Sequence, residues 1–183
     1  MMKHDPGITR KQKGLVIVNT GDGKGKTTAA LGVILRAWGR GFRICVIQFI
    51  KPEGINTGEY IAASKLAIEW YRYGDGFTWV SKNGDESMNR ARQGWQLAQE
   101  KIVSGAYDLV VLDELTYPLH LNWIDTGEMV NWLALNKPSH LHLIITGRNA
   151  PRALIAYADL VTEMKIVKHP FNQGVKGQPG IEF

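Results

Sequence analysis

Apolar residues in this chain fall into short continuous runs, separated by longer segments in which they recur at helical spacing. Leu15-Val16-Ile17-Val18, the stretch from Ile44 to Ile50, Leu109-Val110-Val111-Leu112 and Leu143-Ile144-Ile145 are runs of the first kind. Unbroken runs of this length predict strands covered on both faces, because a half-exposed strand would alternate. The pattern predicts strands at 15–20, 43–50, 67–73, 108–113, 141–146 and 160–167, and helices at 26–39, 86–104, 126–136 and 150–158. Gly39 and Gly41 end the first helix, and Asn136-Lys137-Pro138 ends the third. Strands alternating with helices predict an α/β fold: a mostly parallel central sheet of about six strands with helices on both faces. Residues 1–13 are polar, carry Pro6 and Gly7 and show no period, so they are expected to form a mobile arm before a single domain at 14–183.

In open sheets of this kind ligands sit beyond the carboxyl ends of the strands, so the residues that follow each strand carry the candidate chemistry. The first strand runs into Gly21-Asp22-Gly23-Lys24-Gly25-Lys26-Thr27-Thr28, a glycine-rich loop that opens a helix. Glycines let successive backbone N–H groups turn inward, and the helix adds its positive dipole end, which together make a cradle for a polyphosphate. Lys26 would reach the outer phosphates and Thr27 would ligate Mg²⁺, the layout of a P-loop nucleotide-binding fold. The spacing G-x-x-x-x-G-K-[ST] asks for glycine at position 20, where this chain has Thr20, so the loop is a variant.

Four further segments lie at predicted strand ends. Asp113 and Glu114 follow the fourth strand as a carboxylate pair, with one acid placed to hold Mg²⁺ and the other to orient a ligand or water, or simply to start the next helix. Thr146-Gly147-Arg148 brings a guanidinium able to neutralise phosphate charge bidentately. Gly74 to Trp79 forms a glycine-hinged loop with two large rings, Phe77 and Trp79, which either face a flat partner or tuck into the core. Gln48 and Lys51 end the second strand. His140 and His142 share one strand face, but no third metal ligand accompanies them.

Composition narrows the classes. With 183 residues, 44% of them hydrophobic, the chain supports one well-buried core. No stretch approaches the roughly 20 apolar residues that span a bilayer, and the first residues lack the apolar run of a signal peptide, so a cytoplasmic protein without membrane contact is expected. The lone Cys45 sits in an apolar run and reads as a core residue. The net charge of +5 fits nucleic acid and a polyanionic small molecule equally, but no zinc-finger or basic-zipper spacing supports nucleic acid as a partner. From the residues alone, an ordinary P-loop ATPase or phosphotransferase stays open, with Asp113 and Glu114 positioning Mg²⁺ and an attacking group.

Several segments in order resemble the ATP:corrinoid adenosyltransferase family. They are Gly21 to Ala30, Val46 to Lys51, Gly76-Phe77-Thr78-Trp79, Val110 to Tyr117, Ile144 to Arg148, and Val167 to Phe171 with Gly174 to Phe183. The phosphate loop is shared by many nucleotide enzymes, whereas the Gly-Phe-Thr-Trp segment and the C-terminal tail are specific. The resemblance implies transfer of the 5′-deoxyadenosyl group of ATP to the cobalt of a Co(I) corrinoid such as cobalamin or cobinamide, with release of inorganic triphosphate, in adenosylcobalamin synthesis or salvage. A Co(I) corrinoid is itself a strong nucleophile, so no residue is required as general acid or base. The family also implies that ATP lies in the loop in the reverse of the usual sense, touching residues 21–28 and Arg148. Glu114 would help hold Mg²⁺ with Thr27, and Asp113 would support it. Phe77 and Trp79 would pack on the corrin and displace its lower axial ligand, which eases reduction of Co(II). A flavoprotein electron donor and a homodimer complete the implied picture.

Overall fold

The apolar runs at 109–112 and 143–145 become the two central strands of a six-stranded sheet. In a computed structural model, which describes residues 13–52, 56–74 and 84–182, the strands are β1 (Val16–Thr20), β2 (Ile44–Pro52), β3 (Glu69–Gly74), β4 (Leu109–Asp113), β5 (His142–Thr146) and β6 (Leu160–Glu163). They pair in the order β3-β2-β4-β5-β1-β6, and every neighbouring pair is parallel. The helices are α1 (Lys26–Trp38), α2 (Gly58–Lys65), α3 (Gly84–Val103), α4 (Thr116–His120), α5 (Thr126–Asn136) and α6 (Arg152–Tyr157). A 3₁₀ turn follows at Pro170–Gln173. The predicted α/β fold with a parallel six-stranded sheet is the fold found.

The period of two along each strand divides the core into two layers. Cys45, Ile47, Val110, Leu112, Leu143 and Ile145 pack under α3, α5 and α6, against Ala91, Ala98, Ile102, Met129, Leu133 and Leu154. The intervening residues Ile44, Val46, Leu109, Val111 and Ile144 face the other way, against Ala30, Ile34 and Ala37 of α1 and Ala63 of α2. Cys45 is fully buried, and burial pushes its thiol up to about 12, as expected of a packing residue. No helix among the described residues is long and apolar enough to cross a membrane.

Three elements depart from the sequence reading. The short helix α2 occupies 58–65, where no helix is predicted, and it delays β3 to Glu69 through Ala67, which takes a left-handed φ of 54°. The helix α4 starts at Thr116, one residue beyond the acid pair, where no helix is predicted. The last strand, predicted over 160–167, ends at Glu163, because Met164 turns away to brace the glycine loop. Of the two histidines, His142 is engaged within the fold: its Nδ1 accepts the Leu15 N–H at 3.2 Å and its ring stacks on Phe42. Of the predicted N-terminal arm, residues 1–12 lie outside the described residues, and Lys13 is ion-paired with Asp159.

Helix α3 lies close on the sheet because Gly94 has no side chain. A Cβ at this position would stand 3.0 Å from Cβ and Cγ of Tyr73 and 3.1 Å from Cε1 of Phe49. Alanine in a helix is worth about 1 kcal/mol over glycine, whereas overpacking against a Cβ anchored in β3 costs about 1–3 kcal/mol. Gly94→Ala is therefore expected to destabilise the protein, seen as a lower denaturant midpoint at unchanged slope; a raised midpoint would contradict this packing.

Candidate active site

At the carboxyl edge of the sheet, β1 passes into the glycine loop, where Gly21 and Gly25 take φ of 95° and 107°. The loop is clamped from behind. The Gly23 N–H donates to the Met164 carbonyl at 2.7 Å, and the Met164 N–H donates to the Thr20 carbonyl at 2.8 Å. A Cβ on Gly21 would lie 2.4 Å from that Met164 oxygen, so the close approach requires glycine there. Thr20, the departure from the usual spacing, is the last residue of β1, and its Oγ1 accepts the Ala150 N–H at 3.1 Å. The hydroxyl thereby ties the loop that follows β5, and with it Arg148, to the strand that feeds the glycine loop.

Helix α1 begins after Gly25 without a side-chain cap and without an acidic residue in its first turn. Its first N–H groups and its dipole are left to favour an anion. Lys26 is 7% exposed and donates from Nζ to the carbonyls of Gly21 and Gly23, both at 2.8 Å. Burial lowers its pKa, with the nearby Glu114 carboxylate acting in the opposite sense and Arg148 reinforcing the drop.

The acid pair splits into two environments. Asp113 ends β4 and is 2% exposed; its Oδ1 accepts from Thr27 Oγ1 at 2.9 Å and Thr146 Oγ1 at 2.7 Å, and its Oδ2 accepts from Gln48 Nε2 at 2.9 Å. Glu114 turns out of the strand with a φ of 60°, and its N–H donates to Thr146 Oγ1 at 2.9 Å. Its carboxyl pKa is raised, first by burial and then by the neighbouring Asp113 charge, while Lys26, Arg148 and Lys51 pull it back down. Gly147, at φ 137°, makes room for Thr116: a Cβ there would meet Thr116 Oγ1 at 2.0 Å and Glu114 Oε2 at 3.2 Å.

These residues border two adjoining clefts that share Thr27, Lys51, Glu114 and Arg148. One, of about 530 Å³, lies over the glycine loop between Gly23 to Thr28 and the C-terminal residues Gly180, Ile181 and Glu182, and Glu182 is ion-paired with Lys24. The other, of about 440 Å³, is walled by Ile50, Tyr117, His120 and Asn149. Lys51, expected at this edge, is here ion-paired with Glu59 of the unpredicted α2.

Of the sequence candidates, Gly23, Lys24, Gly25, Lys26, Thr27, Thr28, Asp113, Glu114 and Arg148 line these clefts. Gly21 supplies a carbonyl to Lys26, and Asp22 is exposed, its charge acting on Lys26. Phe77 and Trp79 lie outside the described residues. Sequence reasoning missed Thr116 and Thr146. Thr116 is fully buried, its hydroxyl has no hydrogen-bond partner among the described residues, and it borders the 440 Å³ cleft. Thr146 left a trace, a hydroxyl residue ending the strand beside the acidic one.

The chain is similar to several corrinoid adenosyltransferases. It is 43% identical over 175 residues to a corrinoid adenosyltransferase of Sinorhizobium sp., covering 94% of this chain and 81% of that protein. It is 40% identical to the corrinoid adenosyltransferase of Escherichia coli (strain K12), covering 94% and 87%, and 39% identical to corrinoid adenosyltransferase CobA of Salmonella typhimurium, covering 95% and 88%. Among solved structures, the flagellar accessory protein FlaH from Methanocaldococcus jannaschii superposes with a TM-score of 0.53 at 10% identity, over 82% of this chain and 70% of that one, which is a likeness of fold alone. The family model of the ATP:corrinoid adenosyltransferases BtuR/CobO/CobP matches residues 12–183, from before the glycine loop to the C-terminal segment that covers it. With that match spanning both clefts and the relatives aligned over nearly the whole chain, the protein belongs to the ATP:corrinoid adenosyltransferase family.

Proposed function

We propose that the protein transfers the 5′-deoxyadenosyl group of ATP to the cobalt of a Co(I) corrinoid, in adenosylcobalamin synthesis or salvage. The triphosphate lies in the glycine-loop cleft, and the sugar points towards the adjoining cleft where the corrinoid arrives. The observation that carries this reading is the join of the two clefts at Thr27, Glu114 and Arg148, in a chain of this family. In the reaction Co(I) donates an electron pair to C5′ and forms a cobalt–carbon bond. The C5′–O bond breaks, its pair stays on the departing triphosphate, and cobalt becomes Co(III).

No proton need be removed for this step, which agrees with Asp113 having both oxygens engaged by Thr27, Thr146 and Gln48 rather than aimed at a substrate as a base. The work left to the protein is positioning and stabilisation of the leaving group. Lys26 would exchange its two loop carbonyls for phosphate oxygens, and Arg148, exposed at the rim, would close on the same group.

A divalent magnesium ion fits the oxygen donors present. The Thr27 hydroxyl donates its proton to Asp113, which leaves its lone pairs for a cation, and the Glu114 carboxyl lines the same cleft. No group of three or more His, Cys, Asp or Glu able to hold a metal occurs among the described residues, so phosphate and water would fill the remaining positions, the habit of Mg²⁺. When bound, the ion neutralises charge on the triphosphate. On the strength of the resemblance alone, Phe77 and Trp79 pack against the corrin, a flavoprotein supplies the electron that makes Co(I), and the working form is a homodimer.

Mixing the protein with ATP, Mg²⁺ and chemically reduced cobalamin is expected to give a light-sensitive alkylcobalt spectrum and one triphosphate per alkylation; ADP and phosphate in its place would refute the reading. Lys26→Ala is expected to lower kcat/KM by about 10²–10³-fold with any corrinoid, the usual loss for one charge-stabilising donor. Trp79→Ala is expected to leave ATP binding intact and to slow turnover from Co(II) more than from Co(I). Loss of ATP affinity in that variant, measured by calorimetry, would remove Trp79 from the corrinoid side.

A further inference from the structure

One chain of hydrogen bonds runs from the edge of the sheet into the acid pair. Trp70, on β3, donates from Nε1 to Gln48 Oε1 at 2.9 Å. Gln48, directly opposite Asp113 in the β2–β4 register, donates from Nε2 to Asp113 Oδ2 at 2.9 Å. Gln48 is 1% exposed and Asp113 2%, so no solvent substitutes for these partners. The direction of the chain is fixed by the chemistry of its ends. An indole N–H only donates and a carboxylate only accepts, whereas the amide between them has one end of each kind. Only one orientation of Gln48 satisfies both neighbours, and it turns the NH₂ group towards Asp113.

At the other end, Asp113 decides what Thr27 offers the cleft. A hydroxyl has one proton, and Thr27 gives it to Asp113 Oδ1 at 2.9 Å, so its lone pairs face away from the carboxylate. The second donor on the same oxygen, Thr146 Oγ1 at 2.7 Å, is held in turn by the Glu114 N–H. Asp113 is thus braced on Oδ1 from β5 and on Oδ2 from β2. With the amide missing, Oδ2 loses its donor and the carboxylate is free to swing, carrying the Thr27 hydroxyl with it.

We propose that Gln48 and Trp70 are positioning residues of the metal–nucleotide site: they hold Asp113 in the orientation that points the lone pairs of Thr27 at the bound cation. The proposal rests on the reading of Thr27 as a metal ligand given above. Residues that orient a metal ligand typically govern affinity by about 10–100-fold. Trp70 acts only through Gln48, so its contribution is the smaller and vanishes once the amide is gone.

The test uses Mn²⁺ in place of Mg²⁺ and needs no corrinoid. Free Mn²⁺ is followed by electron paramagnetic resonance as it is titrated into the full-length protein saturated with ATP, and ATP affinity without metal is measured by calorimetry. Gln48→Leu is expected to weaken Mn²⁺ binding by about tenfold or more while leaving metal-free ATP affinity within about twofold. Trp70→Phe, which keeps the ring and removes the donor, is expected to weaken Mn²⁺ binding less, and to add nothing in the Gln48→Leu background. Parent-like Mn²⁺ affinity in Gln48→Leu, or in Trp70→Phe should the leucine variant not fold, overturns the proposal, as does a lowered melting temperature with unchanged Mn²⁺ affinity. A Trp70→Phe effect of equal size in both backgrounds removes Trp70 from it. If the parent protein with ATP takes up no Mn²⁺, the metal reading itself falls, which is a different result.

Discussion

A carboxylate buried at the end of a central strand must find hydrogen bonds or it destabilises the fold. Asp113 finds three, and each comes from a different element: Thr27 at the start of α1, Thr146 at the end of β5 and Gln48 on β2. Satisfying one group thereby fixes the relative positions of the glycine-loop helix and three strands at the edge where the clefts open. Glu114, the next residue, is thrown outward by a left-handed backbone whose N–H is caught by the same Thr146 hydroxyl. One acid is therefore spent on structure while its neighbour faces the shared part of the clefts.

The second constraint is charge. Lys26, Glu114 and Arg148 act on one another across the shared part of the clefts, with burial lowering the lysine and raising the glutamate. Both shifts move the groups towards their neutral forms, and a highly charged anion with its cation would reverse the balance by giving each a full partner. A site of this kind stabilises charge that develops on a leaving triphosphate, which is the task the proposed reaction sets. The Met164 carbonyl and the exposed Gly180 to Glu182 segment show that the chain beyond β6 belongs to the glycine-loop cleft as much as the loop does.

Much of this was legible in the sequence, for physical reasons that differ by element. The runs at 44–50, 109–112 and 143–145 announced buried parallel strands because both their faces needed cover, and the layered core bears this out. The glycine loop, the acid pair and Thr146-Gly147-Arg148 were visible because each chemistry demands its residue types at fixed short spacing. Helix α2 was not, since it buries only Ala63 and so shows no apolar stripe. Helix α4, five residues long with Pro118 inside it, is set by the turn at Glu114 rather than by its own period. The hydrogen bond between Gln48 and Asp113 spans 65 residues and has no local signature. Thr20 marks the loop as a variant in the sequence, but its hydroxyl's hold on the Ala150 N–H, 130 residues away, has no local signature.

In the proposed reaction carbon, not phosphorus, is the atom attacked. ATP carrying ¹⁸O only in the bridge between C5′ and the α-phosphorus separates the two most directly, with the products of a single turnover on Co(I) cobalamin read by mass spectrometry. Full recovery of the label in inorganic triphosphate, with none on the adenosyl group, is the predicted result. Label retained on an adenosine 5′-oxygen, as attack at the α-phosphorus requires, or left in ADP, as attack further along the chain requires, would contradict it.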